Sequence, residues 1–174
     1  MPVVWFMALA AALGTATIYP LQPAIGDVAG ALTVSYATVG AALACGPVGY
    51  LLGLATLVPL VDRFRPAAVV AVQFVAMGLA LAAAAAVGTA WTLGLVIGII
   101  GAGSSVGAQL SSIAGRFAAP GRRATALGVV TSGIAAGILA GRIVGGWLTE
   151  ALGWRAMLLV VAAACGGAAL GAVA

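Results

Sequence analysis

Arg142 stands alone in an apolar run, and the rest of the chain offers little other chemistry. The 174 residues carry seven basic side chains, all of them arginine, against three acids (Asp27, Asp62 and Glu150) and no histidine. Without histidine there is no imidazole to ligate a metal or relay a proton. Cys45 and Cys165 both lie inside apolar stretches and read as small buried side chains rather than reactive thiols. No nucleophile stands beside a base and no metal-ligand set is spaced for binding. That argues against an enzyme, and no cofactor is expected. The remaining polar groups concentrate in or beside three of the apolar runs: Thr15, Thr17, Tyr19 and Gln22, then Ser104, Ser105, Gln109, Ser111 and Ser112, then Thr131 and Ser132, with Gln73 the main exception in the plainer runs. Polar side chains there either face a wet interior or hydrogen-bond from helix to helix. Both readings stay open for each of them.

The elements that position these groups follow from composition. The chain is 64% hydrophobic and 6% charged, with a mean hydropathy of +1.26. A soluble domain carries about 25% charged residues, so this chain cannot cover a water-facing surface. A membrane span needs about 20 apolar residues at ~1.5 Å each. Six runs qualify, at 3–21, 34–60, 67–88, 91–115, 124–148 and 154–174. The expected fold is an all-α bundle of six transmembrane helices. The first run lacks a basic leader and is read as a retained span. Tyr19-Pro20-Leu21-Gln22-Pro23 ends it, because each proline removes a donor and restricts its neighbour. Asp27 and Gly30 mark the following loop. Pro47 and Pro59 interrupt the second span.

The arginines set the orientation. Arg63 and Arg65 lie between the second and third spans; Arg116, Arg122 and Arg123 lie between the fourth and fifth. Opposite them stands only Arg155, with Asp27 and Glu150. Cytoplasmic loops carry the excess of basic residues, so both termini are expected in the cytoplasm of a cell with this protein in its inner membrane. The arginines flank spans singly or in pairs without interleaved aromatics, so no nucleic-acid partner is expected; the partner they imply is a lipid bilayer.

Within the fifth run, Gly133, Gly137, Gly141 and Gly145 recur every four residues. Residues four apart share a helix face, and a face without side chains lets another backbone approach closely. Membrane helices associate this way because lipid supplies no hydrophobic drive. The fourth run repeats small-residue spacings at Gly94, Gly98, Gly103 and Gly107. Two loops also echo each other. In Leu60-Val61-Asp62-Arg63-Phe64-Arg65, and in Leu148-Thr149-Glu150 through Arg155, a leucine stands two before an acid and an arginine follows. Two three-helix units of opposite topology would produce such a pair on opposite faces.

These residues resemble the amino-terminal half of a major facilitator superfamily transporter, of the bacterial efflux type that includes drug and sugar antiporters. Gly128, Gly137, Gly141, Gly145 and Gly146 match the glycine motif of the antiporter branch, with Arg142 in place of its proline. Leu60, Asp62 and Arg63 match the cytoplasmic loop motif, with Val58 and Arg65 in place of two glycines. The fourth-span arginine that the family links to proton coupling would fall at Ile97 and is absent.

The resemblance implies secondary transport by alternating access, exporting a small organic solute such as a drug or sugar, with the proton as coupling partner. It implies a fold of two inverted three-helix repeats, and a candidate substrate cavity lined by Thr15, Tyr19, Gln22, Ser105, Gln109, Thr131 and Arg142. Leu60, Asp62, Arg63 and Arg65 would form a cytoplasmic gating loop. No span interior holds an acid, so this half shows no carboxylate to carry the proton. The family has twelve helices; the carboxy-terminal half is absent, and a longer protein, a second copy or a partner is expected to complete the fold. The alternatives are a membrane scaffold or remnant that transports nothing, and a half-transporter acting as a dimer. Arg142 itself has two readings. Its stem can snorkel to the outer headgroups, or it can turn inward to Gln22, Asp27, Glu150 or an anionic substrate group.

Overall fold

The computed structural model describes residues 2–173. Among them every regular element is helical: α1 (Pro2–Ala16), α2 (Ile25–Leu32), α3 (Tyr36–Thr56), α4 (Leu60–Arg63), α5 (Pro66–Ala86), α6 (Ala90–Ser104), α7 (Val106–Phe117), a 3-10 turn at Pro120–Arg122, α8 (Arg123–Leu152) and α9 (Trp154–Val173). Five stretches are long and apolar enough to cross a membrane: Tyr36–Arg63, Pro66–Ala86, Ala90–Phe117, Arg123–Leu152 and Trp154–Val173.

The first expected span is different. α1 has 15 residues, about 22 Å at ~1.5 Å per residue, which is short of a ~30 Å hydrocarbon core. The helix loosens at Thr17, whose hydroxyl donates to the Gly14 carbonyl at 2.7 Å, and turns replace it through the two prolines. The stretch around Asp27 and Gly30, expected as loop, is helix α2. Val28, Ala29 and Leu32 bury one face of it, and Asp27 sits in its first turn, where a carboxylate suits the helix dipole. A second departure lies in the fourth span. Its helix breaks at Ser105, where α6 gives way to α7. Ser104 Oγ donates back to the Gly101 carbonyl at 2.7 Å, a local bond that bends helices.

The ends of the helices follow from local chemistry. Ser35 and Thr89 accept the backbone N–H three residues ahead, at 3.1 and 3.3 Å, and so start α3 and α6. Pro66 opens α5, where its missing donor costs nothing. Gly153, at φ 84°, reverses the chain between α8 and α9 in a conformation that side chains disfavour.

The tightest packings join α1 to α8, α3 to α6 and α5 to α9. Phe74, Met77 and Leu81 of α5, Leu93, Ile97 and Ile100 of α6, and Met157 and Leu158 of α9 are fully buried between them. Much more of α6 and α7 is buried than of α8, so the broken fourth span is the most enclosed of the long spans. The outside is apolar as well: Leu9, Leu51, Leu79, Trp91, Leu95 and Leu170 are all exposed. In water such a surface would aggregate; against lipid tails it is solvated.

Two glycine seams close the bundle. A methyl added at Gly133 or Gly137 would run into the carbonyl oxygen of Ala8 or Ala12, one at Gly141 would stand 2.7 Å from the Ala16 oxygen, and one at Gly145 would stand 2.6 Å from that of Pro20. The four-residue period of α8 thus meets a four-residue period on α1 and the turn beyond it. The second seam joins α3 to α6: Gly49 meets the Gly98 carbonyl, Gly53 that of Ala102, and Gly101 that of Gly46.

Candidate functional site

Four helices converge on one cleft of about 170 Å³. α1 and the turn after it contribute Thr15, Ile18 and Tyr19, α3 contributes Pro47 and Tyr50, α7 contributes Gly107, and α8 contributes Ile134 and Ile138. The α1–α8 seam brings Thr15 and Ile134 to the same wall. Gly107 lets α7 approach them: a methyl there would lie 3.2 Å from Thr15 Oγ1 and 3.4 Å from Ile134 Cγ1. The Thr15 hydroxyl donates to the Ala11 carbonyl at 2.8 Å, which leaves its oxygen lone pairs for a visitor.

Arg142 stands one turn beyond Ile138 on the same face of α8, four residues on. Its side chain reaches across to the turn after α1. Nε donates to Gln22 Oε1 at 3.0 Å, and the guanidinium carbon lies 5.1 Å over the Tyr19 ring, within the range of a cation–π contact. Its partner in this geometry is Gln22 rather than Asp27 or Glu150, and both side chains are exposed. Thr131, exposed, lies three residues before Ile134 on that face.

Ser105 and Gln109, expected in the cavity, do not line it. Both are fully buried. Gln109 follows Gly107 by two residues, about 200° round the helix, so it points away from the cleft. Its Nε2 donates to the Leu57 carbonyl at 2.8 Å, tying α7 to the end of α3. Ser105 Oγ lies 3.4 Å from Gln73 Nε2, which is equally close to the Gly103 carbonyl at the helix break. In this geometry these groups bond between helices, the competing reading of polar residues in spans, while Gln73 Oε1 and Gln109 Oε1 are buried without a partner among the described residues. Tyr50 and Pro47 line the cleft but were absent from the expected lining; their signal was a lone aromatic three residues after a mid-span proline.

At the other end of the bundle Asp62, in α4, forms an ion pair with Arg116 in the last turn of α7. It is the one ion pair among the described residues. Both side chains are more than half exposed, and Arg116 also suits the negative end of the α7 dipole. Leu60 opens α4, while Arg63 and Arg65 are exposed and outside this pair. At the opposite end Arg155 lies over the Trp154 ring, at 4.3 Å, and donates to the Ala85 carbonyl at the end of α5. Of the motif glycines, Gly137, Gly141 and Gly145 face the α1 segment, Gly146 lies against the Pro23 side chain, and Gly128 faces open space.

Known proteins carry the same fold. The fold matches the crystal structure of a bacterial homolog of the human lysosomal transporter Spinster, in an inward-facing and occupied conformation. The TM-score is 0.81 at 16% identity, over 98% of this chain and 43% of that one. In sequence, the chain is 32% identical to the uncharacterized transporter YgaY of Escherichia coli, in strains K12 and O157:H7, over 155 residues. The match covers 88% of this chain and 39% of YgaY, so the chain spans well under half the length of these relatives. The family model of the Major Facilitator Superfamily matches residues 4–174, nearly the whole chain, and the chain belongs to that superfamily.

Proposed function

We propose that the chain is the amino-terminal half of a secondary active transporter that exports a small organic solute by alternating access, with a proton gradient as the drive. The observation that carries this reading is the cleft where α1, α3, α7 and α8 meet, lined by residues of all four, in a chain that belongs to a transporter superfamily. A second six-helix unit, continuing the same chain or supplied by a second copy, would place the cleft between two halves. The packing supports an inverted repeat. Counting α1, α3, α5, α6–α7, α8 and α9 as six spans, the first packs on the fifth and the second on the fourth. Exchanging each of the first three with the span three positions later converts one pair into the other, as two three-helix repeats would. The complete protein in proteoliposomes should move members of a panel of labelled drugs and sugars, with flux abolished by a protonophore. Flux that survives collapse of the pH gradient removes the proton from this reading; no flux across the panel removes transport.

The ion pair and helix ends support a topology. Asp62 and Arg116 gather the basic loops at one end, which the positive-inside rule assigns to the cytoplasm. In sealed cells, a cysteine placed at Glu150 should react with an impermeant reagent and one at Arg122 should not. The reverse pattern would invert the orientation.

Asp62 is the gate residue in this reading. An exposed ion pair contributes about 0–1 kcal/mol, so Asp62→Asn should melt within ~1 kcal/mol of wild type. Its transport rate should fall, and exchanging the two charges (Asp62→Arg with Arg116→Asp) should recover part of it. Unchanged transport in Asp62→Asn would remove the gate.

A further inference from the structure

We infer that the cleft selects an amphipathic organic anion: a carboxylate or comparable oxyanion held by Arg142, with an apolar or aromatic body lying along the wall below it. The inference rests on the transport reading only for the site's role as a substrate site; the binding chemistry stands on the geometry.

The first observation is an unspent charge. A guanidinium has five N–H donors in a planar fork, and Arg142 commits only Nε, to Gln22 Oε1. No carboxylate among the described residues neutralises it. Asp62 is paired with Arg116, and neither Asp27 nor Glu150 forms an ion pair with Arg142 among the described residues. The second observation is pre-orientation. Gln22 holds Nε and the Tyr19 ring lies beneath the guanidinium plane, so the exposed side chain is held over Tyr19, a residue of the cleft wall. With Nε taken, the terminal nitrogens Nη1 and Nη2 are the ones left to receive two oxygens of one anion, the bidentate geometry in which Arg excels over Lys.

The third observation is what lies below. From Arg142 back to Ile134 is eight residues, ~12 Å along α8. Over that length the wall is Ile138, Ile134 and Tyr50, closed by Tyr19 from the other side. The lining of the cleft holds no acid and no arginine of its own among the described residues; Arg142 stands one turn beyond it, over Tyr19. A cationic solute would meet an unpaired like charge one turn from the wall, and the hydroxyls of Thr15, Tyr19 and Tyr50 are set among apolar Ile18, Pro47, Ile134 and Ile138. An anion with an apolar body satisfies both regions at once. The same oxyanion chemistry belongs to a phospholipid headgroup, and the test separates the two sources.

The complete protein is purified in neutral detergent and its melting followed by tryptophan fluorescence. It is titrated with 4-phenylbutyrate, 2-naphthoate and decanoate, and with the amide of each. The acids should stabilise the wild type and the amides should do so weakly. In Arg142→Gln the half-saturating acid concentration should rise about tenfold to a hundredfold, the loss of one charge-assisted pair, while the response to the amides stays within about twofold. Arg142→Lys keeps the charge without the fork and should fall between the two. Gln22→Ala, which frees Nε but leaves the charge, should weaken acid binding less than Arg142→Gln. If no acid stabilises the wild type, or if Arg142→Gln responds as the wild type does, the inference fails. In a parallel arm, phosphatidylglycerol and phosphatidylcholine replace the acids. An Arg142-dependent shift with the anionic lipid, and none with the soluble acids, assigns the guanidinium to a headgroup and overturns the proposal. Flux is measured separately: acid binding without flux leaves this site standing and removes transport, whereas flux of neutral compounds that is indifferent to Arg142 does the reverse.

Discussion

Gly137→Leu is expected to unfold the bundle at markedly lower temperature or denaturant than wild type, whereas Gly166→Leu should leave stability unchanged or raised. Both exchanges put the same side chain on a membrane-spanning helix, so intrinsic helix preference acts equally, favouring Leu by up to ~1 kcal/mol. The difference is the neighbour. At Gly137 the first added carbon already collides with the Ala12 carbonyl oxygen, which is α1 backbone and cannot rotate aside. At Gly166 nothing lies within 4 Å, and the new side chain meets lipid. Overpacking costs about 1–3 kcal/mol and more where nothing can give, so Gly137→Leu should fall at or beyond the upper end of that range. The seam also sets the cleft, since Thr15 and Tyr19 flank the contact points Ala12 and Ala16 while Ile134 and Ile138 flank Gly137. Prising α1 from α8 should therefore reduce ligand binding even at temperatures where the protein stays folded. Equal unfolding of the two variants would mean that the α1–α8 seam bears no close packing.

The α8 face of this seam is legible in the sequence, and the reason is physical. Lipid removes the hydrophobic drive between helices, so a membrane helix has to advertise its packing face by residue size, and a glycine period of four is visible in one chain. Five of the six expected spans are legible because lipid demands long apolar runs. The partner of the seam is not legible. Ala8, Ala12 and Ala16 lie among so many alanines that no period stands out, and the contact is made to their carbonyls, which every residue has. The same ambiguity hides the roles of Ser105 and Gln109. A polar side chain in a span either faces water or bonds a neighbouring helix, and composition is identical in both cases. Only the direction of the side chain decides it, and at Gln109 that direction is fixed by the Leu57 carbonyl on another helix. The break at Ser105 is hidden similarly, because its support comes from Gln73, 32 residues away.

Arg142 lies between these cases. Its depth along the helix is readable from residue count, and Gln22 is among the partners that can reach it. The choice between snorkelling outward and turning inward depends on where the chain after α1 goes. That path is set by Pro20 and Pro23, whose turn brings Tyr19 and Gln22 over the end of the α8 seam. A sequence shows that the prolines break the helix, but not the direction in which the broken chain leaves.

The second seam supplies the other large effect. Gly49→Ala, Gly53→Ala and Gly101→Ala should each destabilise the protein, while Gly40→Ala, on the same α3 helix, should stabilise it. In an unpacked helix Gly→Ala is favourable by ~1 kcal/mol, and Gly40 has nothing within 4 Å of an added methyl, so it reports that propensity gain directly. At the other three positions the methyl meets a carbonyl of the facing helix, that of Gly98, Ala102 or Gly46. The α3–α6 contact is reciprocal, with glycines of each helix facing backbone of the other, so neither helix can shift to relieve one clash without tightening another. The overpacking cost of ~1–3 kcal/mol should therefore exceed the propensity gain and reverse its sign. The measurement is reversible unfolding in mixed micelles for the four single variants. Stabilisation at all four positions would show that helix propensity alone governs them and that α3 and α6 are not in backbone contact. Because α6 leads into the break at Ser105 and α7 carries Gly107 to the cleft wall, the three destabilised variants should also lose ligand stabilisation, and Gly40→Ala should keep it.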